Sequence, residues 1–362
     1  MPVLSGVTFP TQSEALESPA AQMDVAVCPA CTHVYNVAFD PLLIDYDADY
    51  DNSLHHSGIF QAYSHELVRR LASEYNLKGK HVVELGCGKG HFLVDLCRAT
   101  GARGTGYDRS YAGEVTDPAV EFIPDYLPFD RSGDFDFFVS RHVVEHLQDP
   151  HGFLSSLRRA CDTRQVRGYV EVPDAIYDFD RSPWSLHYPH VSYFSATSLG
   201  RLALRSGFGI LRLIRSFEGQ YLAMELGVNV PTPDQDAFVG MGLRREREIV
   251  NTFRETYPQM VKGWRDRLDE VGYETCVLWG AGAKGLGFLS SVDPQRGMAA
   301  VVDVNPAKSG QYLPVTGHRV ISPTDLASMN ISTVIITNPA YRKEIETSLA
   351  QLSVRADVMS AH

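Results

Sequence analysis

Hydrophobic and polar residues alternate along this chain with two different periods, and the changes of period predict where strands and helices lie. Between about residues 80 and 230, short apolar runs are each followed by a turn and a segment with apolar positions at helical spacing. The same alternation returns from residue 273. Because alternating strand and helix patterns are typical of α/β folds with a mostly parallel sheet, the sequence predicts two α/β units.

The clearest pattern of strand, turn, helix and strand lies between residues 81 and 108. An apolar run ends on Glu84, a glycine-rich turn follows, and a second short strand ends on Asp108. The turn contains Gly86, Cys87, Gly88 and Gly90. Glycines let a backbone pass close to a ligand, and the N-terminus of the next helix is positive. Asp108 is placed to accept hydrogen bonds from a ribose diol, so this stretch predicts a nucleotide-type cofactor site.

Further short strands are predicted at 120–123, 135–140 and 168–172. Open α/β sheets bind ligands outside the carboxyl ends of their strands. The residues that follow the fourth predicted strand are therefore candidates for a site, namely Arg141, His142, Glu145 and His146. The alternative is that Glu145 and His146 only begin the next helix.

An aromatic insertion follows the fifth predicted strand, before a helix predicted at 197–206 and two closing strands. It has six aromatic or histidine side chains within eleven residues, namely Trp184, His187, Tyr188, His190, Tyr193 and Phe194. Histidines titrate near neutral pH and are suited to proton transfer. The insertion can also be a cap packed over the sheet, and the two roles are compatible.

The N-terminal region predicts a small module that ends in a loop. Cys28 and Cys31 form a single C-x2-C pair, which would need two more ligands to hold zinc, and a reduced pair without metal is the alternative. The stretch 46–56 is rich in aromatic and polar residues. It is a candidate lid, or else a solvated surface loop. An amphipathic helix is predicted from about Ile59.

The character of the chain changes at Pro231, where a linker leads into a long charged helix predicted at 243–271, with a kink at Pro258. The second α/β unit then carries a turn with the spacing G-x-G-x-x-G, and its second strand ends on Asp303. That spacing alone is weak evidence for a dinucleotide site. Lys284 inside the turn would suit a phosphate-bearing ligand. The four predicted parts are residues 1–58, 59–230, 231–272 and 273–362.

Composition narrows the class of protein. Of the 362 residues, 44% are hydrophobic, and no apolar run approaches the roughly 20 residues that cross a bilayer. A net charge of -11 without a long basic run argues against nucleic acid as a partner. The chain begins without the pattern of a signal peptide, and its six cysteines do not suggest a disulfide framework. We therefore expect a cytoplasmic protein that acts on small molecules.

Glu84, the glycine turn and Asp108 together resemble motif I of class I S-adenosylmethionine-dependent methyltransferases. The resemblance implies that Glu84 lies near the methionine ammonium, that Asp108 binds the ribose and that Asp125 contacts the adenine. The cofactor residues that it implies are Glu84, Gly86, Cys87, Gly88, Gly90, Asp108, Asp125 and Arg141. The alternative for this stretch is an α/β turn without a ligand.

Motifs from about residue 25 to 350 resemble the three-part methyltransferase family that includes the C-methyltransferases of deoxysugar pathways. These motifs are RHVVEHLQDP, EVPD, YPHVSYFS, FEGQYL, GAGAKG and TNPAYRKEI. The resemblance implies a zinc-binding N-terminal module, a Rossmann-like class I methyltransferase core and a Rossmann-like C-terminal domain that helps to hold a nucleotide sugar. Two features depart from the pattern. The first Cys pair is missing, and Pro189 replaces a glutamate in a stretch that is one residue shorter.

The prediction is an enzyme that transfers methyl from S-adenosylmethionine to a small metabolite, anionic or nucleotide-linked, with carbon favoured over oxygen or nitrogen. The alternative is an NAD(P)-dependent oxidoreductase that uses the C-terminal glycine turn. The catalytic candidates are His190 as the base, His142 as the second choice of base, Tyr188 and Glu145. The substrate-binding candidates are Tyr50, Asn52, His55, His56, Trp184, Tyr193, Gln220 and Lys284.

Overall fold

The computed structural model describes residues 1–44, 56–113, 115–128, 134–161, 165–230, 243–295 and 297–361. Tyr50, Asn52 and His55 lie outside these ranges. The N-terminal elements are α1 (Gln12–Glu17), β1 (Val25–Val27) and β2 (Val34–Asn36). Among the helices that the structure describes, none combines the length and apolar character that crossing a membrane requires.

Two α/β units follow the N-terminal elements. The first contains α2 (Gly58–Glu74), β3 (His81–Leu85), α3 (His91–Thr100), β4 (Arg103–Tyr107), β5 (Val120–Ile123), β6 (Phe137–Arg141), α4 (Pro150–Ala160), β7 (Arg167–Pro173), α5 (Ala175–Arg181), β8 (Ser192–Tyr193), α6 (Ala196–Arg205), β9 (Gly209–Ser216) and β10 (Tyr221–Gly227). The connecting helix is α7 (Leu243–Val271). The second unit contains β11 (Cys276–Trp279), α8 (Ala283–Val292), β12 (Ala300–Val302), β13 (Val320–Ile321), β14 (Thr333–Ile336), α9 (Arg342–Gln351) and β15 (Asp357–Ser360).

The first unit has a seven-stranded sheet with the order β5-β4-β3-β6-β7-β10-β9. β10 runs antiparallel to both of its neighbours, whereas the other pairs are parallel. The central strands are buried on both faces, with Val83 and Phe138 in one core and Val82 and Phe137 in the other. Burial on both faces explains why these strands are near-continuous apolar runs in the sequence. The predicted strands are confirmed, with bounds that differ by at most two residues.

The second unit repeats this arrangement with five parallel strands in the order β13-β12-β11-β14-β15. In both units the first strand of the unit lies inside the sheet. The next two strands are added on one side of it, and the later strands on the other. The gap beside the first strand at its carboxyl end is where such sheets bind ligands. The predicted pair of α/β units is confirmed.

α7 joins the two units. Near its N-terminus, Val250 and Phe253 pack against a cluster that includes residues of α5, and near its C-terminus Leu268 enters the core of the second unit. Pro258 lies inside this helix without ending it. The helix thus lies against both units.

Trp184 of the aromatic insertion joins the two units directly. Its indole Nε1 donates to the carbonyl oxygen of Ala361 at 2.6 Å, and its ring meets Phe288 edge-on with centroids 4.9 Å apart. Gly287 on α8 permits this contact, because a Cβ there would lie 2.3 Å from the carbonyl oxygen of Trp184. Trp184 is therefore a packing residue between the units.

The N-terminal residues contact both units. β1 and β2 form an antiparallel sheet with β8 of the aromatic insertion. Closer to the start of the chain, Phe9 pairs with Tyr312 of the second unit, and the Gln12 amide donates to the Gly317 carbonyl oxygen at 3.0 Å. Residues 1–44 are therefore packed along the junction of the two units.

The contact at Gly287 can be tested with two substitutions of the same kind. Gly287→Ala should destabilise the protein by about 1–3 kcal/mol, because the new methyl group overpacks the junction. Gly263→Ala on α7 is the matched control, since nothing lies within 4 Å of its Cβ position. It should stabilise the protein by about 1 kcal/mol through helix propensity alone. Urea unfolding measures both, and equal effects of the two substitutions would contradict this packing.

Candidate active site

A cleft of about 780 Å³ lies between the two α/β units. It is lined by the β3–α3 turn, the end of β6, part of the aromatic insertion and the β11–α8 turn. Both glycine turns therefore face one cavity, at the carboxyl ends of the parallel strands where ligands of such sheets bind.

The β3–α3 turn has the backbone that its glycines were expected to permit. Gly86, Gly88 and Gly90 have φ of 72°, 52° and 88°. A Cβ on Gly86 would lie 2.1 Å from a methyl group of Val143, whereas nothing lies within 4 Å of the Cβ position of Gly88. The turn is thus packed on one side and open on the other, which leaves room for a ligand beside the backbone.

Glu84 is the penultimate residue of β3, just before this turn, and it is only 3% exposed. Its Oε2 atom has no hydrogen-bond partner among the described residues. Burial raises its pKa to about 8, against the opposing charge of Arg141 and with a smaller contribution from Asp108. A buried carboxyl group with an unsatisfied oxygen is suited to a cationic ligand group such as an ammonium.

Asp108 fastens the turn to the end of β4. Its Oδ2 accepts from the Gly88 N–H at 2.7 Å, and its Oδ1 accepts from the Ser110 N–H at 2.8 Å and from the Ser110 hydroxyl at 2.7 Å. A carboxylate accepts about four hydrogen bonds, so one position remains for a ribose hydroxyl. Asp108 therefore holds the turn as well as facing the cleft.

Asp125 is exposed, and its Oδ1 accepts from the N–H of Tyr126 at 2.7 Å. Asp125 is not among the residues that line the cleft, whereas Tyr126 and Leu127 are. In this structure the tyrosine ring and the leucine side chain, rather than the carboxylate, reach the cleft next to Asp108.

Arg141 and Glu171 form a buried ion pair beside Glu84, with Nε and Oε1 3.0 Å apart. The Arg141 guanidinium also lies over the Phe92 ring, 4.5 Å from its centroid. Tyr63 and Tyr169 both donate hydrogen bonds to Glu171. Burial alone would raise the pKa of Glu171, but Arg141 and the hydrogen-bond donors hold it well below the usual range. Glu171 lies within the strand predicted at 168–172, and it is not among the predicted site residues.

His142 follows β6 with a positive φ of 56°. Its Nε2 lies 3.4 Å from Glu171, and its Nδ1 lies 3.6 Å from Glu145. Burial favours the neutral imidazole, but the two carboxylates outweigh it and raise the pKa to about 9. The backbone strain at this position is typical of functional sites in which the surrounding structure fixes a residue.

A cluster of histidines and glutamate continues from His142 towards the aromatic insertion. Ligand atoms of Glu145, His146 and His190 all lie within 4.8 Å of one another. The His187 and His190 rings are 3.7 Å apart. Burial holds the pKa of His190 well below its ordinary value and lowers that of His187 to about 4. We call Glu145, His146, His187 and His190 the histidine cluster.

The other predicted site residues divide into two groups. His56, Gln220 and Lys284 line the cleft. Trp184, Tyr188 and Tyr193 are buried elsewhere. The Tyr188 hydroxyl accepts from the Asp40 N–H at 2.7 Å, and the Tyr193 hydroxyl donates to the His187 carbonyl oxygen at 3.1 Å. The polar atoms of these three aromatic side chains are thus hydrogen-bonded to backbone groups, and none of the three side chains lines the cleft.

An aspartate carboxylate holds the β11–α8 turn through backbone N–H groups, as in the β3–α3 turn. Asp303 accepts from the N–H groups of Ala281 and Asn305, each at 2.8 Å, just as Asp108 accepts from Gly88 and Ser110. Nothing lies within 4 Å of the Cβ positions of Gly280 and Gly282, which line the cleft. Each unit therefore presents an open glycine turn held by the acid that follows its second strand.

Lys284 connects this second turn to the first unit. Its Nζ donates to the side-chain oxygen of Gln220 at 3.1 Å and lies 4.0 Å from a carboxylate oxygen of Asp178. Burial lowers the pKa of Lys284, opposed by Asp178. The carbonyl oxygen of Gln220 also accepts from the Asn338 amide at 2.9 Å. Asp178 and Asn338 line the same cleft and were not predicted as site residues.

Comparison with known families decides the chemistry of the first unit. A family profile described as "Methyltransferase domain" matches residues 55–213. Residues 55–213 form a methyltransferase domain. The chain is thus a methyltransferase, and S-adenosylmethionine is its methyl donor. A second profile, described as "C2185-like, N-terminal", matches residues 272–359, which form the second α/β unit.

Solved structures resemble about half of this methyltransferase. They include the methyltransferase in complex with the Haloferax volcanii activator Trm112, at 16% identity over 50% of this chain and 95% of that chain, with a TM-score of 0.40. ChlM, the magnesium protoporphyrin IX methyltransferase of Synechocystis PCC 6803, has 17% identity over 47% and 84%, with a TM-score of 0.38. The 1,6-didemethyltoxoflavin-N1-methyltransferase of Burkholderia thailandensis has 15% identity over 55% and 96%, with a TM-score of 0.36. A comparison with curated proteins gives no match.

The described residues fit this donor at its two polar ends. Glu84 offers a buried, unsatisfied carboxylate oxygen for the methionine ammonium, and Asp108 retains capacity for a ribose hydroxyl. The N-terminal cysteines do not offer a comparable fit to zinc. Cys28 and Cys31 are free thiols, and within the described ranges no group of three or more possible metal ligands includes them.

The raised pKa of Glu84 gives a test of its role. At pH 6 this carboxyl group is protonated, and an ammonium bound beside it stabilises the ionised form and releases the proton. The affinity for S-adenosylhomocysteine should therefore rise between pH 6 and 8, by up to about tenfold per pH unit. Calorimetry in buffers with different ionisation enthalpies measures the released proton. Glu84→Gln should abolish this release, and release that persists in the variant would place the titrating group elsewhere.

Proposed function

We propose that this methyltransferase transfers the methyl group to a small metabolite held in the cleft between its two α/β units. The observation that carries the proposal is the continuity of the cleft. The cofactor turn, the histidine cluster and the second glycine turn all line one cavity. A site of this kind holds donor and acceptor close and aligned, and such positioning contributes a large share of the rate enhancement in displacement reactions.

The second unit is proposed to hold an anionic group of the acceptor, such as a phosphate. Gly280 and Gly282 leave open space beside the N-terminus of α8, which is a ten-residue helix. Helix N-termini preceded by glycine turns bind phosphates well, and Lys284 adds a point charge. The resemblance of the motifs between about residues 25 and 350 to deoxysugar C-methyltransferases supports a nucleotide-linked acceptor and methylation at carbon.

Activation of the acceptor is proposed to take place at the histidine cluster together with His142, rather than at a single histidine. Methylation of a carbon next to a carbonyl group requires loss of a C–H proton, and a polar group on the carbonyl oxygen assists this step. The Nδ1 atom of His190 has no hydrogen-bond partner among the described residues, and His190 lines the cleft. His142 is engaged with two carboxylates.

The oxidoreductase alternative finds less support. It rests on the G-x-G-x-x-G spacing of the second unit and on Asp303 at the end of its second strand, and that spacing alone is weak evidence. The methyltransferase match covers residues 55–213 of the first unit, which include Glu84 with its unsatisfied carboxylate oxygen. Use of the second turn for an anionic acceptor group explains both glycine turns without a second cofactor.

The experiment begins with S-adenosylmethionine carrying a deuterated methyl group and a panel of nucleotide-linked and other anionic metabolites, and mass spectrometry identifies the labelled product. With that acceptor, Lys284→Ala should raise KM by about tenfold or more, because a charge-assisted hydrogen bond contributes about 1.5–3 kcal/mol. The affinity for S-adenosylhomocysteine should stay the same.

Lys262→Ala is the matched control, since Lys262 is exposed on α7 and pairs only with Asp266 among the described contacts. It should leave KM unchanged. An unchanged KM in Lys284→Ala would mean that the second unit does not hold the acceptor. Reduction of added NAD or NADP by one of these metabolites, without any labelled product, would favour the oxidoreductase alternative.

A further inference from the structure

The carboxylate of Glu145 is buried in a way that needs an explanation. Its side chain is 1% exposed, and neither of its oxygens has a hydrogen-bond partner among the described residues. The imidazole Nδ1 of His142 lies 3.6 Å from Oε1 of Glu145, which is beyond hydrogen-bonding distance. An ionised carboxylate without hydrogen bonds in an apolar setting is costly, so such groups are normally paired or coordinate a metal.

The histidines beside Glu145 present nitrogen lone pairs. His146 Nδ1 lies 3.0 Å from the carbonyl oxygen of Pro189. Because a carbonyl oxygen only accepts, Nδ1 carries the proton and Nε2 carries the lone pair. His190 is 8% exposed, and its Nδ1 atom has no hydrogen-bond partner within the described ranges. A backbone carbonyl that fixes one ring nitrogen is the usual way in which metal-binding histidines are oriented.

The three side chains form a compact donor set. Ligand atoms of Glu145, His146 and His190 lie within 4.8 Å of one another, which a small movement of the side chains would bring to a common centre. Two imidazoles and one carboxylate are the protein ligands of catalytic zinc sites and of non-haem iron sites, where the remaining positions stay open. All three residues line the cleft, so the open positions would face a bound small molecule.

We propose that Glu145, His146 and His190 bind a divalent transition-metal ion, whose open positions take an oxygen atom of the methyl acceptor. This role for the ion rests on the proposed function, whereas binding of the ion does not. The proposed metal site lies close to the cofactor turn, because Val143, two residues before Glu145, packs against Gly86 of that turn. A metal ion at this position would polarise a carbonyl or hydroxyl group of the acceptor as a Lewis acid.

The test uses the full chain, stripped of metal by a chelator and titrated with Co²⁺, whose visible absorption reports the ligand set. We expect one ion per chain and displacement by Zn²⁺. Glu145→Gln and His190→Gln should each weaken Co²⁺ binding by more than about 100-fold. Loss of a residue that only hydrogen-bonds to a metal ligand already lowers metal affinity by about 10- to 100-fold, and loss of a ligand itself should cost more. Unchanged Co²⁺ binding in both variants, or none in the native protein, overturns the proposal.

Two controls separate this site from others. Cys28→Ser/Cys31→Ser removes the half-buried thiol pair, and His151→Ala removes a surface histidine on α4. Both should retain Co²⁺ binding. X-ray absorption of the Zn²⁺-loaded native protein should show imidazole and oxygen ligands, and sulfur ligands would instead assign the ion to the cysteines and overturn the proposal.

Calorimetry with S-adenosylhomocysteine shows that each variant is folded, and the X-ray absorption result holds whether or not a variant folds. Failure of methyl transfer to every acceptor, with Co²⁺ binding intact, would count against the proposed function and not against the metal site. Methyl transfer that is unaffected by removal of all metal would overturn the role of the ion on the acceptor while leaving the proposed function in place.

Discussion

The buried ion pair of Arg141 and Glu171 is the interaction on which the geometry of the active site depends. Removing two charges from water costs several kcal/mol for each ion, and only close geometry with further hydrogen bonds compensates for that cost. Here Tyr63 and Tyr169 donate to Glu171, and the Arg141 guanidinium lies over Phe92. Because these groups come from α2, α3, β6 and β7, the pair fixes two helices against the carboxyl edge of the sheet. Of the two charged groups, Arg141 lines the cleft, and Glu171 lies buried behind it.

The ion pair of Arg141 and Glu171 affects the charge of groups on both of its sides. On one side, the Arg141 charge opposes the rise in the pKa of buried Glu84, which keeps that carboxyl group ready to ionise when an ammonium arrives. On the other side, the carboxylates of Glu145 and Glu171 raise the pKa of His142 to about 9 against the effect of burial. Lys284 of the second unit contacts Gln220 of the first unit within the cleft. Trp184 joins the two units through its hydrogen bond to Ala361. The candidate donor site and the proposed site of acceptor activation thus share one electrostatic network.

The sequence predicted the parts of this arrangement that are encoded locally. Strand, glycine turn and helix follow one another within residues 81–108, so apolar period and turn chemistry were sufficient to place Glu84 and Asp108. The role of Glu171 was missed because its partner Tyr63 lies 108 residues away in the chain. The aromatic insertion was ambiguous for a related reason. Aromatic side chains such as Trp184 and Tyr193 are common both in substrate-binding sites and in packed cores. Which of the two applies depends on tertiary packing, and here their polar atoms bond to backbone groups.

A crystal structure of the protein with S-adenosylhomocysteine is the most direct measurement of the central claim, that the donor binds in the first unit and faces the cleft. The amino group should lie within hydrogen-bonding distance of Glu84, a ribose hydroxyl should lie beside Asp108, and the sulfur should face the histidine cluster. A ligand bound instead at the Gly280–Gly285 turn, or an amino group away from Glu84, would contradict the claim.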